Sequence, residues 1–370
     1  MTALALRTTH TGSLPRPSAL GTAASSLPEQ VREVMAAQLS TGLSIINDGE
    51  FGRESYVTYV AERLSGFSGA EDPIDVDDLA SVPEVAADLA RGATPGAPRR
   101  SCESEIRYSG QQDLARDLDR AATCARTLGA ADRLFFTAPS PGTIALFFGD
   151  LHYGRHEDYV QALADAMREE YSAIVATGAI LQLDCPDLAL GRHARRRGTA
   201  TRRAGDIAEA NLAALNRAVE GLPVERIRMH VCWGNYAGPH DCDTPLVELW
   251  PLLSRARPAG LMLEAANPRH AHEWSLFAER RLPSDKYLVP GVIETTNNII
   301  EHPDLVAQRL ENYVRHVGAD RVLAGVDCGF SSFAGSPAVN PELCWRKLAV
   351  LVEGARRCSR RLGLGEVETP

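Results

Sequence analysis

Eight apolar runs of strand length alternate with amphipathic helical stretches along the chain. The runs are LALRTTH (4–10), SIINDGE (44–50), RLFFTAP (133–139), AILQLDC (179–185), RIRMHVC (226–232), GLMLEA (260–265), YLVPGVI (287–293) and RVLAGVD (321–327). Between them lie helical patterns such as PEQVREVMAAQLSTG, HEDYVQALADAMREEYSAIVATG, DIAEANLAALNRAVEG and HPDLVAQRLENYVRHVG. Pro28 stands near the start of one helix, and Gly178, Gly221 and Gly318 follow last turns, as helix stops do. Continuous apolar strands separated by helices read as a parallel sheet covered on both faces. Eight such pairs predict an α/β chain closed into a (β/α)8 TIM barrel; the rival, an open doubly wound sheet, lacks a Gly-x-Gly-x-x-Gly after the first run.

One interval breaks the rhythm. More than eighty residues separate the second and third runs, including the acidic, Pro/Gly-punctuated GAEDPIDVDDLASVPEVAADLARGATPGAPRR. Residues 67–112 therefore read as an insertion near the barrel mouth, with SCESEIRYSG as a short hairpin, inside a single domain spanning 1–370.

Barrels of this kind place their chemistry at the C-terminal ends of the strands. Those ends carry His10 and Ser13, Asp48 and Glu50, Ser140, Asp184 and Cys185, His230 and Cys232, Glu264, Glu294, and Asp327 and Cys328. In a strand, residues two apart share a face, so His230 and Cys232 converge. Such a pair can share a metal, act as base and nucleophile, or fill a core. Glu264 and Cys328, from neighbouring strand ends, complete a Cys/His/carboxylate set of the kind zinc takes at about 2.0–2.3 Å. Two thiolates and a carboxylate (−3) against the ion (+2) leave −1. Such a site activates water poorly but keeps a bound thiolate nucleophilic, holding an incoming thiol below its usual pKa of about 8.5. A structural zinc is the alternative, and His240 and Cys242 on the following loop are competing ligands.

Composition narrows the partners. With Lys+Arg 39 against Asp+Glu 48 the net charge is −9, which argues against nucleic acid. The basic run RHARRRGTATRR (192–203) reads as a solvated loop or an anion contact. No stretch reaches the roughly 18 apolar residues of a membrane span, no signal peptide is visible, and the eight cysteines lack the density of a disulfide framework. The expected location is cytoplasmic. Lysine occurs only at 286 and 347, before the seventh run and in the last helix, so a Schiff-base mechanism has no lysine at the catalytic end.

TTHTGSLPRP (8–17), NDGEFGR (47–53), YVAERLSGF (59–67), LQLDCPDLA (181–189), HVCWGNYAGPHDCDTPL (230–246) and GVDCGF (325–330) together resemble the catalytic barrel of cobalamin-independent methionine synthase. They resemble still more its short single-barrel relatives, which include epoxyalkane:coenzyme M transferase. The resemblance covers nearly the whole chain and implies the barrel shared with uroporphyrinogen decarboxylase. It implies zinc on His230, Cys232, Glu264 and Cys328, the set reached from the strand ends. It also implies an amino-acid thiol held by the Gly12–Ser13 turn and by Glu50 and Asp184. Asn235 would shape the pocket wall, and Trp233 either shares that wall or packs beneath it. Asp-Glu-Pro of the family is here Asp184-Cys185-Pro186, and the second barrel of methionine synthase, which helps hold folate, has no counterpart. The implied reaction is zinc-dependent transfer of a methyl or other alkyl group to a thiol. The donor is left open between a methyl-folate and a corrinoid protein, with His10, His240 or Asp184 as acid or relay. Thiol addition to an epoxide is the alternative within the family. A zinc-free decarboxylase and a non-catalytic corrinoid-protein docking module are the alternatives of other classes.

Overall fold

The computed structural model describes residues 5–16, 26–69, 74–92, 100–196, 204–333 and 339–365. Parts of the acidic segment (70–73 and 93–99) and of the basic run (197–203) lie outside them. Five predicted runs form one parallel sheet: β1 (Phe135–Pro139), β2 (Ile180–Asp184), β3 (Ile227–Val231), β4 (Gly260–Glu264) and β5 (Tyr287–Gly291), adjacent in that order. The register sets Asp184 beside both Pro139 and His230, and Glu264 beside Gly291, so the polar ends are level.

The first, second and eighth runs do not form ladders. They join the sheet through isolated parallel bridges at Thr8–Ala324, Ile46–Leu134, Leu288–Val322 and Gly291–Gly325. Backbone bonds lead from β5 to residue 323 (Leu323 N–H to Leu288 O, 2.9 Å) and on to Thr9 (N–H to Ala324 O, 2.9 Å). They continue through Ser44 (N–H to Thr8 O, 3.0 Å) and Ile46 (N–H to Arg133 O, 2.9 Å), returning to β1 at Phe135 (N–H to Ile46 O, 3.0 Å). In the first and second runs side chains also engage the backbone. Ser44 Oγ accepts from Thr8 N–H, Thr8 Oγ1 from Ser44 N–H, and Gln38 Oε1 from Asn47 N–H. Ser, Thr and Asn offer the chain such local partners in place of a neighbouring strand.

Helices follow the predicted patterns. In Leu27–Thr41, Glu29 reaches back to Ser26 N–H at 2.7 Å and Gly42 ends the helix with φ 95, a capping pair and a left-handed stop. His302 and Asn340 cap Pro303–Val317 and Pro341–Arg361, each with proline in the first turn. No helix among the described residues is long and apolar enough to cross a membrane.

The insertion differs from the expected hairpin. Ser101–Cys102 pairs with Phe67–Ser68, and Ile74–Val76 pairs antiparallel with Ala194–Arg196 beyond the end of β2. The short helix Asp77–Ala80 follows, and the buried Asp78 carboxylate accepts from Tyr236 Oη (2.8 Å) and His240 N–H (2.9 Å) on the loop after β3.

Both lysines are accounted for. Lys286 Nζ bonds Asp285 at 3.1 Å just before β5. Lys347 is fully buried, with Nζ 3.0 and 3.2 Å from the two oxygens of Glu301, which also accepts from Glu294 N–H. Removing one partner of such a pair strands the other charge, so Lys347→Met is expected to cost about 3–5 kcal/mol in urea unfolding. Adding Glu301→Gln should recover part of that loss; a neutral single variant would show that the pair is not coupled to stability.

Candidate functional site

The period of two along β3 places His230 and then Cys232 at the inner end of the strand, where they meet Cys328 from the eighth run. One ligand atom of each of these three buried residues lies within 4.8 Å of the others. Asp184 Oδ1 is 3.3 Å from His230 Nδ1, and the Asp327 carbonyl is 3.0 Å from Nε2. Burial opposes protonation of this ring, but the Cys232 thiolate, then Asp184 and the Asp327 carbonyl, outweigh it and push the pKa up to about 9. Cys328 donates to Cys232. That bond, against burial, lowers the Cys232 pKa, and together with burial holds the Cys328 proton on well above the usual thiol range. Protons on His230 and Cys328 thus occupy the centre of a ligand set that a metal ion needs deprotonated.

Glu264 is not among the three. Its carboxylate accepts from Trp233 N–H (2.8 Å) and Asn267 Nδ2 (2.9 Å), and burial raises its pKa against the opposing field of His270. The sequence places Glu264 with the other three ligands; the structure sets it beside them, turned to these two donors. The competing pair, His240 and Cys242, lies on the outer loop, and Cys242 is exposed.

A second group faces the same space. Glu50 is buried and accepts from Thr137 Oγ1 at 2.8 Å. Burial, and then the nearby Asp184 charge, push its pKa up to about 7. Its backbone is left-handed (φ 61), as is that of Gly49 before it; for a non-glycine residue that is strain held by its surroundings. Gly12 has φ 144, and a Cβ there would meet Glu50 Oε1 at 2.4 Å and Thr137 Cγ2 at 2.8 Å. Among the described residues, Gly12 N–H donates to His10 Nδ1 and Leu14 N–H to Gly49 O, whereas Ser13 N–H has no partner.

Three expectations need correction. His10 is fully buried beneath the Gly12 turn, its Nε2 2.8 Å from Gln38 Oε1. Burial lowers its pKa to about 4; a neutral ring whose one N–H is committed to Gln38 has no proton to give as an acid, so His10 supports the turn. Trp233 has no exposed surface and its ring is covered by His270; it packs, and presents no face to a ligand. His240 is likewise engaged at both nitrogens, by Asp243 (2.8 Å) and the Tyr236 carbonyl (3.0 Å). Asn235 sits between loops, donating to Gly329 O and Ser332 Oγ and accepting from Thr295 Oγ1. Arg228, overlooked in the sequence, lies two residues before His230 on the same side of β3, and that spacing was the available signal.

Similar proteins span nearly the whole chain. A methionine synthase of Saccharolobus solfataricus is 24% identical over 368 residues, covering 95% of this chain and 94% of that protein. An uncharacterized protein of Bacillus subtilis is 26% identical over 350 residues, 88% of this chain and 83% of its own. A B12-independent methionine synthase from Shewanella sp., solved in complex with selenomethionine, superposes with a TM-score of 0.73 at 21% identity, covering 97% of this chain and 99% of that one. The chain has the methionine-synthase-like barrel. A putative B12-independent methionine synthase from Listeria monocytogenes shares this methionine-synthase-like fold at a TM-score of 0.60 and 17% identity, over 96% and 99% of the two chains. No protein-family model matches.

Two expectations follow for the methionine-synthase-like barrel. Gly12→Ala should destabilise by more than the usual ~1 kcal/mol of a glycine replacement at positive φ, because the added carbon meets Glu50; an unchanged urea midpoint would contradict the close approach. For His240, burial opposes protonation, but Asp243 and the Tyr236 carbonyl outweigh it and raise the pKa from 6.5 to about 9. A raised folded-state pKa gives stability that is complete below about pH 6.5 and is lost as pH rises through about 9. The wild-type unfolding midpoint should fall across that window, and more steeply than in His240→Gln; parallel profiles would remove His240 as the source.

Proposed function

We propose that this chain binds zinc through His230, Cys232 and Cys328, with Glu264 as the fourth ligand, and transfers a methyl or other alkyl group to a thiol acceptor of the homocysteine type. The observation that carries the reading is the convergence of one imidazole and two thiols, all buried, with ligand atoms within 4.8 Å. The donor chemistry fits zinc: soft sulfur and imidazole, with a carboxylate adjacent. When bound, zinc would supply a Lewis acid that keeps the acceptor sulfur deprotonated at neutral pH.

The chain's own residues bind and orient. Asp184 bonds His230 Nδ1, the arrangement that fixes the ring of a metal-ligating histidine. Glu50 and Asp184 form a buried pair of like charges, which an ammonium group would relieve, returning Glu50 to its ionised form. The Ser13 amide would take the acceptor's carboxylate. The same pair discriminates between the two thiols of the family resemblance. Coenzyme M carries a sulfonate and no ammonium, so the carboxylates repel it; a homocysteine-type acceptor brings the cation they lack. The solved relative's complex with selenomethionine accords with an amino-acid site. An in-line displacement at the transferred carbon, with the acceptor sulfur as nucleophile, forms the S–C bond as the donor–carbon bond breaks, and the donor's leaving group departs with the electron pair.

Protein purified without added zinc is expected to hold about one zinc per chain, and Cys328→Ser to lose most of it. Metal that survives the substitution, or is absent from the wild type, would falsify the ligand set. X-ray absorption at the zinc edge should show a new sulfur neighbour with homocysteine and none with coenzyme M. The reverse pattern would assign the epoxide-type reaction.

A further inference from the structure

One buried cluster plays no part in the chemistry above. Asp243, on the loop after β3, gathers imidazoles from three segments. His240 Nδ1 lies at 2.8 Å from Oδ2 and His270 Nε2, from the loop after β4, at 2.9 Å from the same oxygen. His193, beyond β2, faces the other oxygen with Nε2 at 3.6 Å. All four residues are 5% exposed or less. His270 Nδ1 is 2.9 Å from Glu273 Oε2, and Glu273 Oε1 accepts from Leu246 N–H. With a carboxylate at each ring nitrogen, His270 carries its second proton; burial opposes this, yet the pKa is pushed up to about 9. The His270 ring lies on Trp233 at 3.9 Å and 23°, a cation over an indole face. Trp233 is anchored at two further points, its indole N–H on the Thr244 carbonyl and its backbone N–H on Glu264. Cys232 is the next residue back along the chain.

We propose that Asp243 is a positioning residue: through the His270 ring stacked on Trp233, it fixes the Cys232–Trp233 segment and with it the Cys232 thiol and the Glu264 carboxylate. Asp243 touches neither sulfur nor acceptor. Its effect travels through one hydrogen bond and one stack. The inference rests on the zinc reading only where metal affinity is the readout.

The test uses the full chain and isolates Trp233 emission as the difference from Trp233→Phe. A protonated imidazole quenches a stacked indole, so this emission should be low at neutral pH and rise as His270 loses its proton. Asp243, Glu273 and Glu264 face His270, and His240 and His193 face it through Asp243, so the midpoint belongs to the cluster. In Asp243→Asn the midpoint should fall by at least about one pH unit. Zinc affinity, measured by competition with a chromophoric chelator, should weaken at least about tenfold, as for other groups that orient metal ligands. His193→Gln disturbs the same carboxylate at the oxygen His270 does not use and should leave both readouts near wild type. If Asp243→Asn does not fold, His270→Gln carries the test, with bright, pH-independent Trp233 emission and weakened zinc binding. Unchanged emission or unchanged zinc affinity in these variants, or equal losses in His193→Gln, overturns the proposal. Emission that behaves as described in a wild type that takes up no zinc would sink the zinc reading and leave the positioning of Trp233 standing.

Discussion

A buried guanidinium holds the floor of the site. Arg228, His230 and Cys232 share one side of the chain because the strand period is two, so whatever positions Arg228 also aims the residues above it. Arg228 is fully buried, and burial pulls its pKa down to about 10. A charge in that setting needs a complete set of partners. It finds Gln182 Oε1 at 2.8 Å, Thr9 Oγ1 at 3.1 Å and the His10 carbonyl at 3.1 Å, with Phe135 beneath at 4.3 Å. These come from β1, β2 and the first run, so one cation joins three walls that ladders join only in part. Gln182 then donates to Asp184, and Asp184 bonds His230. The orientation of the imidazole is thus passed upward from the barrel floor by an unbroken series of hydrogen bonds.

Above that floor, like charges are held together. Glu50 and Asp184 face each other, the Cys232 thiolate lies close to Glu264, and the surroundings favour protons on His230 and Cys328. Burial makes every one of these contacts expensive. The strained φ at Glu50, the Cβ-free Gly12 and the capped His10 below it hold the carboxylate in place despite this cost. A cationic ligand group and a divalent ion are the two species that would relieve it, which is why geometry and charge point to the same chemistry.

The parallel sheet with its helices and the strand ends that carry His230 and Cys232 were legible because both rest on periodicity. Apolar runs of strand length between capped helices locate β1 to β5, and a period of two brings His230 and Cys232 together. The weak pairing of the first and second runs was harder to read, since Thr8, Ser44 and Gln38 engage backbone groups there in ways no local pattern announces. The role of His10 did not follow from the sequence, and that of Trp233 stayed open between wall and packing, for a related reason. A strand-end position marks a residue as near the site, but only tertiary packing decides whether it faces the cavity or lies under it. The Asp243 cluster draws on three segments distant in sequence, so no spacing could have revealed it. Arg228 was the avoidable miss, because the same period that pairs His230 with Cys232 includes it.

The departure at Cys185 completes the electrostatic argument. The family pattern has a glutamate there, and a third carboxylate beside Glu50 and Asp184 would call for more positive charge than one ammonium provides. Cys185 is fully buried with Sγ toward the Leu183 carbonyl at 3.3 Å. Burial, then the Asp187 and Asp184 charges, raise its pKa well above the thiol range, so it stays neutral. The space therefore holds Glu50 and Asp184, the first with its pKa pushed up to about 7 so that a nearby cation would favour its ionised form, beside an imidazolium paired with Asp184. In the proposed reading that balance suits an acceptor bearing a single ammonium, its carboxylate on the Ser13 amide and its sulfur toward His230, Cys232 and Cys328.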